Sequence, residues 1–168
     1  RFDYWMNNFK YLRAVAKGNC LLAEFNKIME EVKAEQDLEK RKQLGREKAL
    51  AKRIELVEQV EEIQRLLLLT VNTTGGMGNV ANWNQHVYPI ILGAGVNELR
   101  SILGELPEEA EPSKSYAGSV RMFVPVKRGL LERGEDLNLK VIVLGDEISE
   151  GKVYYRELGV GEFKSSDL

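Results

Sequence analysis

The sequence predicts an α+β protein: an antiparallel helical hairpin with short extra helices, followed by a partial Ig-like β-sandwich. Up to about residue 104, apolar residues recur every three or four positions, which is the period of one helix face. Beyond residue 118 they recur at every second position, which is the period of a strand. We therefore predict a helical domain at residues 1–104, a linker at 105–118 and the partial sandwich at 119–168.

The first helix is predicted at about residues 2–36, with a wide apolar sector. One apolar face consists of Phe2, Trp5, Phe9, Leu12, Ala16, Cys20 and Ala23. A second set, which broadens this face, consists of Tyr4, Tyr11, Val15, Leu22, Phe25, Met29 and Val32. We therefore expect the helix to be buried on more than one side and Cys20 to be a small core residue. The internal Gly18 predicts either a local bend or a close helix contact.

A second helix is predicted from residue 38 to about residue 71, with Asp37 as its N-cap. A coiled-coil spacing links Leu56, Val60, Ile63 and Leu67. Extending that spacing backwards places Arg53 and Arg46 at positions that a coiled coil reserves for apolar residues. We therefore expect an antiparallel hairpin against the first helix rather than a long autonomous coiled coil.

Glycines separate this hairpin from further short helices. Residues 75–78 contain three glycines and predict a loop, and they lack the Gly-Lys-Ser/Thr ending that a phosphate-binding loop requires. Short helices are predicted at 80–87 and 96–103, and Gly104 is suited to end the second of them.

The segment 105–118 is predicted to be a linker because it holds two of the four prolines together with acidic and small polar residues. Three of its acids, Glu108, Glu109 and Glu111, could suggest a glycosidase pair. Such a pair needs two carboxyl groups at a fixed separation across a cleft, so we expect these acids to be solvated instead.

Alternation of apolar residues predicts strands at 120–126, 137–143 and 152–158, with a fourth at 162–165. Four strands make about half of an Ig-like sandwich, which has about seven strands in about 100 residues. Either the native protein continues beyond Leu168, or the strands complete themselves on the helical part. We favour the first alternative.

The composition argues against several classes of partner and site. Twenty-four Lys and Arg against 26 Asp and Glu give a net charge of -2, so no overall field attracts nucleic acid or anionic lipid. No apolar stretch exceeds four residues, the length of 66–69, which is far shorter than the roughly 20 residues that span a bilayer. One His and one Cys are a poor basis for a metal cluster. We predict no nucleic acid, membrane, metal or cofactor as partner, and no residue can be singled out as catalytic from these patterns.

The most site-like stretch is the run Trp83, Asn84, Gln85 and His86. A flat aromatic ring beside amide and imidazole groups is suited to stacking on a sugar ring and bonding its hydroxyl groups. The alternative is that Trp83 packs inward and the lone His86 is structural. The first interpretation predicts a substrate-binding role for all four residues.

Three stretches are distinctive together: RFDYW and FKYLR within residues 1–13, TVNTTGGMG and NWNQH within 70–86, and VYYRELG within 153–163. They resemble the region that follows the catalytic barrel in large secreted bacterial glycoside hydrolases of the agarase-like kind. The resemblance implies a helical region that packs on the barrel, then an Ig-like module, in a secreted or periplasmic protein. It also implies that the catalytic carboxylates lie in the barrel, so that this chain is a non-catalytic accessory fragment with polysaccharide and the barrel as its partners.

Three functions remain open at this point. An accessory module of a carbohydrate-active enzyme predicts an exposed Trp83 beside a concave polar surface. A helical scaffold or protein-interaction module without sugar binding predicts a buried Trp83 and an exposed apolar patch along the first helix. A self-contained enzyme predicts a deep pocket with perturbed acids near His86.

Overall fold

The computed structural model describes residues 2–71, 73–116, 118–124, 129–145 and 147–168, and only the backbone of Thr74. Its helices are α1 (Phe2–Ala34), α2 (Leu38–Leu44), a first π-helical turn (Gly45–Leu50), α3 (Ala51–Thr70), α4 (Thr74–Asn82), a second π-helical turn (Trp83–Val87), α5 (Tyr88–Gly93), α6 (Val96–Leu103) and a 3₁₀ turn (Glu108–Ala110). Its strands are β1 (Arg121–Phe123), β2 (Ile142–Leu144), β3 (Lys152–Tyr155) and β4 (Lys164–Asp167). The predicted α+β class and the long helical hairpin are confirmed.

The hairpin is built on a close contact between α1 and α3. The buried face of α1 consists of Ala14, Gly18, Leu21, Phe25, Met29 and Val32. At Gly18 a side chain would not fit without a shift, because a Cβ atom would lie 2.9 Å from Ile63 Cδ1. The buried Gln59 on α3 donates from Nε2 to the carbonyl oxygen of Ala14 at 3.1 Å. Of the two predictions for Gly18, the close helix contact is the observed one, and α1 runs through it without a break.

The prediction that α1 is buried on more than one side is wrong for this chain. All seven residues of the face that begins at Phe2 and ends at Ala23 are exposed, and Cys20, predicted to be a core residue, is exposed with them. The physical reason is that Ala14 and Gly18 on the opposite side allow α3 to approach closely, so that this side is the one that packs.

Capping and a buried arginine hold the second arm of the hairpin in place. The Asp37 carboxylate accepts from the backbone N–H groups of Glu39 and Lys40, which confirms the predicted N-cap. Arg53 is buried: its Nε donates to the carbonyl oxygen of Ala110 at 3.1 Å and its Nη1 to that of Leu92 at 2.6 Å. These bonds satisfy a buried cation and tie the 3₁₀ turn and the end of α5 to α3.

The glycine-rich segment 75–78 is helical, so the predicted loop is wrong there. Thr73 provides the N-cap of α4, since its Oγ1 accepts from the N–H of Gly76 at 3.1 Å. Burial of Val80 against the end of α3 then outweighs the low helix propensity of glycine. The predicted helix at 96–103 is confirmed, and Gly104, with φ of 86°, ends it.

The strands form two separate antiparallel sheets of two strands each, with β1 paired to β2 and β3 paired to β4. Strand β2 is shorter than the predicted 137–143. Leu137 and Leu139 are exposed, since the described residues offer no core against which they could pack. The predicted first strand extends into residues 125–128, which lie outside the described residues. The Ig-like character of this part stays a prediction.

The β1–β2 sheet is attached to the helical part. Arg121 on β1 donates from Nη2 to the carbonyl oxygen of Val71 at 2.6 Å. Phe123 and Leu144 pack against a small core cluster formed by Leu67, Leu68, Val71 and Val80. The sheet therefore lies beside the junction of α3 and α4.

We expect Arg53→Met to lower the free energy of unfolding by about 2 to 3 kcal/mol, because two buried carbonyl oxygens lose their donor. Urea unfolding followed by circular dichroism measures the change. Arg46→Met is the matched control, since Arg46 is exposed on the first π-helical turn and its loss should cost less than about 0.5 kcal/mol. Equal stability of the two variants would contradict the anchoring role of Arg53.

Candidate functional site

Trp83, the centre of the predicted sugar site, lies in an aromatic cluster of the main core. Its ring meets the ring of Tyr11 edge-on, with centroids 5.9 Å apart, and that of Tyr88 at 5.3 Å. Trp83 is half-buried and packs with both core clusters of the helical part. The arrangement is that of a packing residue that joins α1, the second π-helical turn and α5.

The hydroxyl groups of the two tyrosines in this cluster have pKa values above the ordinary one. Burial raises the pKa of Tyr88, and the neighbouring Tyr11 raises it further. Burial also raises the pKa of Tyr11, while a hydrogen bond from the Trp83 side chain opposes this. The Tyr88 hydroxyl is buried without a hydrogen-bond partner among the described residues. Both phenols are therefore neutral well above physiological pH, which suits a structural cluster.

Asn84, Gln85 and His86 are exposed on the second π-helical turn. Asn84 lies at the edge of a cleft that α3 and α4 form with the β1–β2 sheet, residues 113–116 and Gly118. Gln85 and His86 do not line that cleft. The structure therefore does not bring the four predicted residues together around one cavity.

The cleft itself has a volume of about 570 Å³. Its apolar part consists of Leu68, Met77, Val80, Phe123, Ile142 and Leu144. Its polar part includes Glu58, Glu61, Glu62, Arg65, Asn84 and Lys114. The volume is that of a small-molecule site, and the cleft combines an apolar part with a wall of polar and charged side chains.

Two of the acids at the cleft are already engaged within the protein. Glu62 receives both arms of the Arg65 guanidinium, at 2.7 Å from Nε and 2.6 Å from Nη2. Glu61 accepts through Oε1 from the backbone N–H of Ser113 at 2.7 Å, which holds Ser113 against α3. The cleft is therefore formed by tertiary contacts between parts of the chain that lie about 50 residues apart.

A second surface is the exposed aromatic end of α1, here called the stripe: Phe2, Trp5, Phe9 and Leu12. The exposed fractions of these side chains are 75%, 61%, 62% and 60%. Their spacing of three, four and three residues aligns them on one side of the helix. A contiguous exposed row of large apolar side chains is typical of an interaction surface, unlike single scattered ones.

Sequence reasoning identified the stripe residues as apolar but expected them to be covered. It did not find the cleft, because no periodicity or motif connects residues 58–65 with 113–144. Only Asn84, among the residues that the sequence singled out as a site, borders it.

Comparisons of the chain with protein-family models, with curated proteins and with solved structures found no match. Within the described part of the chain, no helix is both long enough and apolar enough to cross a membrane. No group of three or more His, Cys, Asp or Glu residues suited to a metal ion occurs among the described residues.

We expect Trp83→Ala to lower the free energy of unfolding by about 2 to 3 kcal/mol, because a half-buried ring leaves the contacts with Tyr11 and Tyr88. Chemical unfolding measures the loss. Trp5→Ala is the matched control: its ring is exposed, so a change below about 0.5 kcal/mol is expected. If Trp83→Ala is as stable as the control, Trp83 is free for ligand contact and its packing role is refuted.

Proposed function

We propose that this chain is a non-catalytic helical scaffold that docks onto another folded protein domain through the stripe on α1. The observation that carries the proposal is the exposure of Phe2, Trp5, Phe9 and Leu12 on a helix whose opposite side is buried against α3 from Ala14 onwards. Burying these side chains against a partner would contribute about 1.5 to 3 kcal/mol for each one that becomes fully buried.

The charges beside the stripe indicate what the partner surface carries. Lys10, Arg13 and Lys17 are exposed and lie, by helical spacing, on one flank of α1 between the stripe and the side that faces α3. A partner with an apolar contact area and acidic residues along one edge would complement this flank.

The resemblance to agarase-like glycoside hydrolases supplies a concrete partner, the catalytic barrel. On that proposal the catalytic carboxylates belong to the barrel, the four strands belong to an Ig-like module, and the protein is secreted or periplasmic. The half-buried Trp83 and the exposed apolar face of α1 are the pair of features expected of a scaffold, and they support docking over sugar binding at Trp83.

Contact with polysaccharide is the second candidate. It is favoured by the exposure of Asn84, Gln85 and His86 and by the position of Asn84 at the cleft. Amide and imidazole groups bond hydroxyl groups well, but without Trp83 they offer no aromatic platform.

The docking proposal is tested by titrating this chain into a purified catalytic barrel of an agarase-like hydrolase in a calorimeter. The wild-type chain should bind, and the double variant Trp5→Ala, Phe9→Ala should bind at least about tenfold more weakly, since aromatic anchors dominate interface energies. Ile90→Ala is the matched control: Ile90 is 72% exposed but lies on α5, so its variant should bind like the wild type.

Both variants should keep the wild-type unfolding midpoint, because the removed side chains are exposed. Absence of binding by the wild type would refute the barrel as partner. Binding that survives unchanged in the double variant would refute the stripe as the docking face.

A further inference from the structure

The cleft between α3, α4 and the β1–β2 sheet has a charge pattern that the docking proposal does not use. It lies on the side of α3 that carries Glu58, Glu61 and Glu62 and shares no residue with the stripe. Its volume of about 570 Å³ is within the range of roughly 300 to 1,000 Å³ that small-molecule sites have.

The unused charges at the cleft favour a cation. Glu62 and Arg65 form an ion pair, so their opposite charges cancel. Glu61 is a second carboxylate at the cleft, and one of its oxygens accepts from the backbone N–H of Ser113. Glu58 has no hydrogen bond or ion pair with any described residue. Against these two carboxylates stands Lys114, so the cleft has an excess of one negative charge.

The apolar side of the cleft indicates the chemistry of the remainder of the ligand. Phe123, Ile142 and Leu144 from the sheet and Leu68, Met77 and Val80 from the helices line the same cleft, and Phe123 and Leu144 pack against the cluster that contains Leu68 and Val80. Binding is favoured when a compact or flat hydrocarbon body covers this apolar area and removes it from water.

We propose that the cleft binds a small amphipathic cation: a molecule with a flat or compact apolar body and one ammonium-type group. The apolar body lies on the side chains of the sheet and of α4, and the ammonium group lies near Glu58 and Glu61. The acidic side of a partly enclosed cleft strengthens the local field and raises the concentration of cations there.

The test uses two probes that share an indole body and differ in charge, tryptamine and indole-3-acetate. Tryptamine should bind saturably with a Kd of about 2 mM or tighter, the affinity that an ordinary ligand efficiency gives for a molecule of this size. Indole-3-acetate should bind more weakly. Two-dimensional NMR of the chain should show tryptamine-induced shifts at the Met77 methyl group and at Ile142.

Three variants separate the charge argument from simple apolar binding. Glu58→Gln should weaken tryptamine binding by roughly threefold to fivefold, and Lys114→Gln should strengthen it by roughly twofold, the range expected for exposed charges. Glu30→Gln is the matched control: it changes the net charge equally but lies exposed on α1, outside the cleft, and should leave the affinity unchanged.

Absence of saturable tryptamine binding in a folded chain would overturn the site. Equal binding of the two probes, or equal effects of Glu58→Gln and Glu30→Gln, would overturn the preference for a cation. Because the stripe is not involved, the outcome is independent of whether the docking proposal holds.

Discussion

The structure depends on the close contact between α1 and α3 at Gly18. With no side chain at this position, Ile63 fills the space between the helices, and Gln59 can reach the carbonyl oxygen of Ala14. This contact selects which side of α1 is buried. The opposite side, which includes Phe2 and Cys20, is consequently left uncovered by the described part of the chain.

Helix α3 is also the element to which several other segments of the chain are attached. On one side Arg53 binds the end of α5 and the 3₁₀ turn Glu108–Ala110, so that this part of the predicted linker is held against α3. On another side Glu61 holds Ser113, and the backbone at the end of α3 accepts from Arg121. The cleft is the space that remains between these attachments, which is why its shape depends on α3 and not on any single motif.

Periodicity and local capping rules predicted the helical hairpin, the Asp37 cap, the end of α6 at Gly104 and the presence of strands after residue 118. They did not decide which apolar set of α1 faces α3, because both sets have helical spacing and only the partner helix distinguishes them. The helical state of residues 75–78 depends on the cap at Thr73 and on tertiary packing, which outweigh glycine propensity. At the candidate site, the sequence indicated Asn84 but not the cleft beside it, since its walls meet only in the folded chain.

The most direct test of this account is the reactivity of Cys20, the single cysteine of the chain, toward a thiol reagent under native conditions. Cys20 lies on the exposed side of α1, so we expect the folded chain to react at a rate close to that of the urea-unfolded chain at the same pH. Protection of Cys20 in the folded, isolated chain, with reaction only on unfolding, would show that this side of α1 is buried and would contradict the proposed docking face.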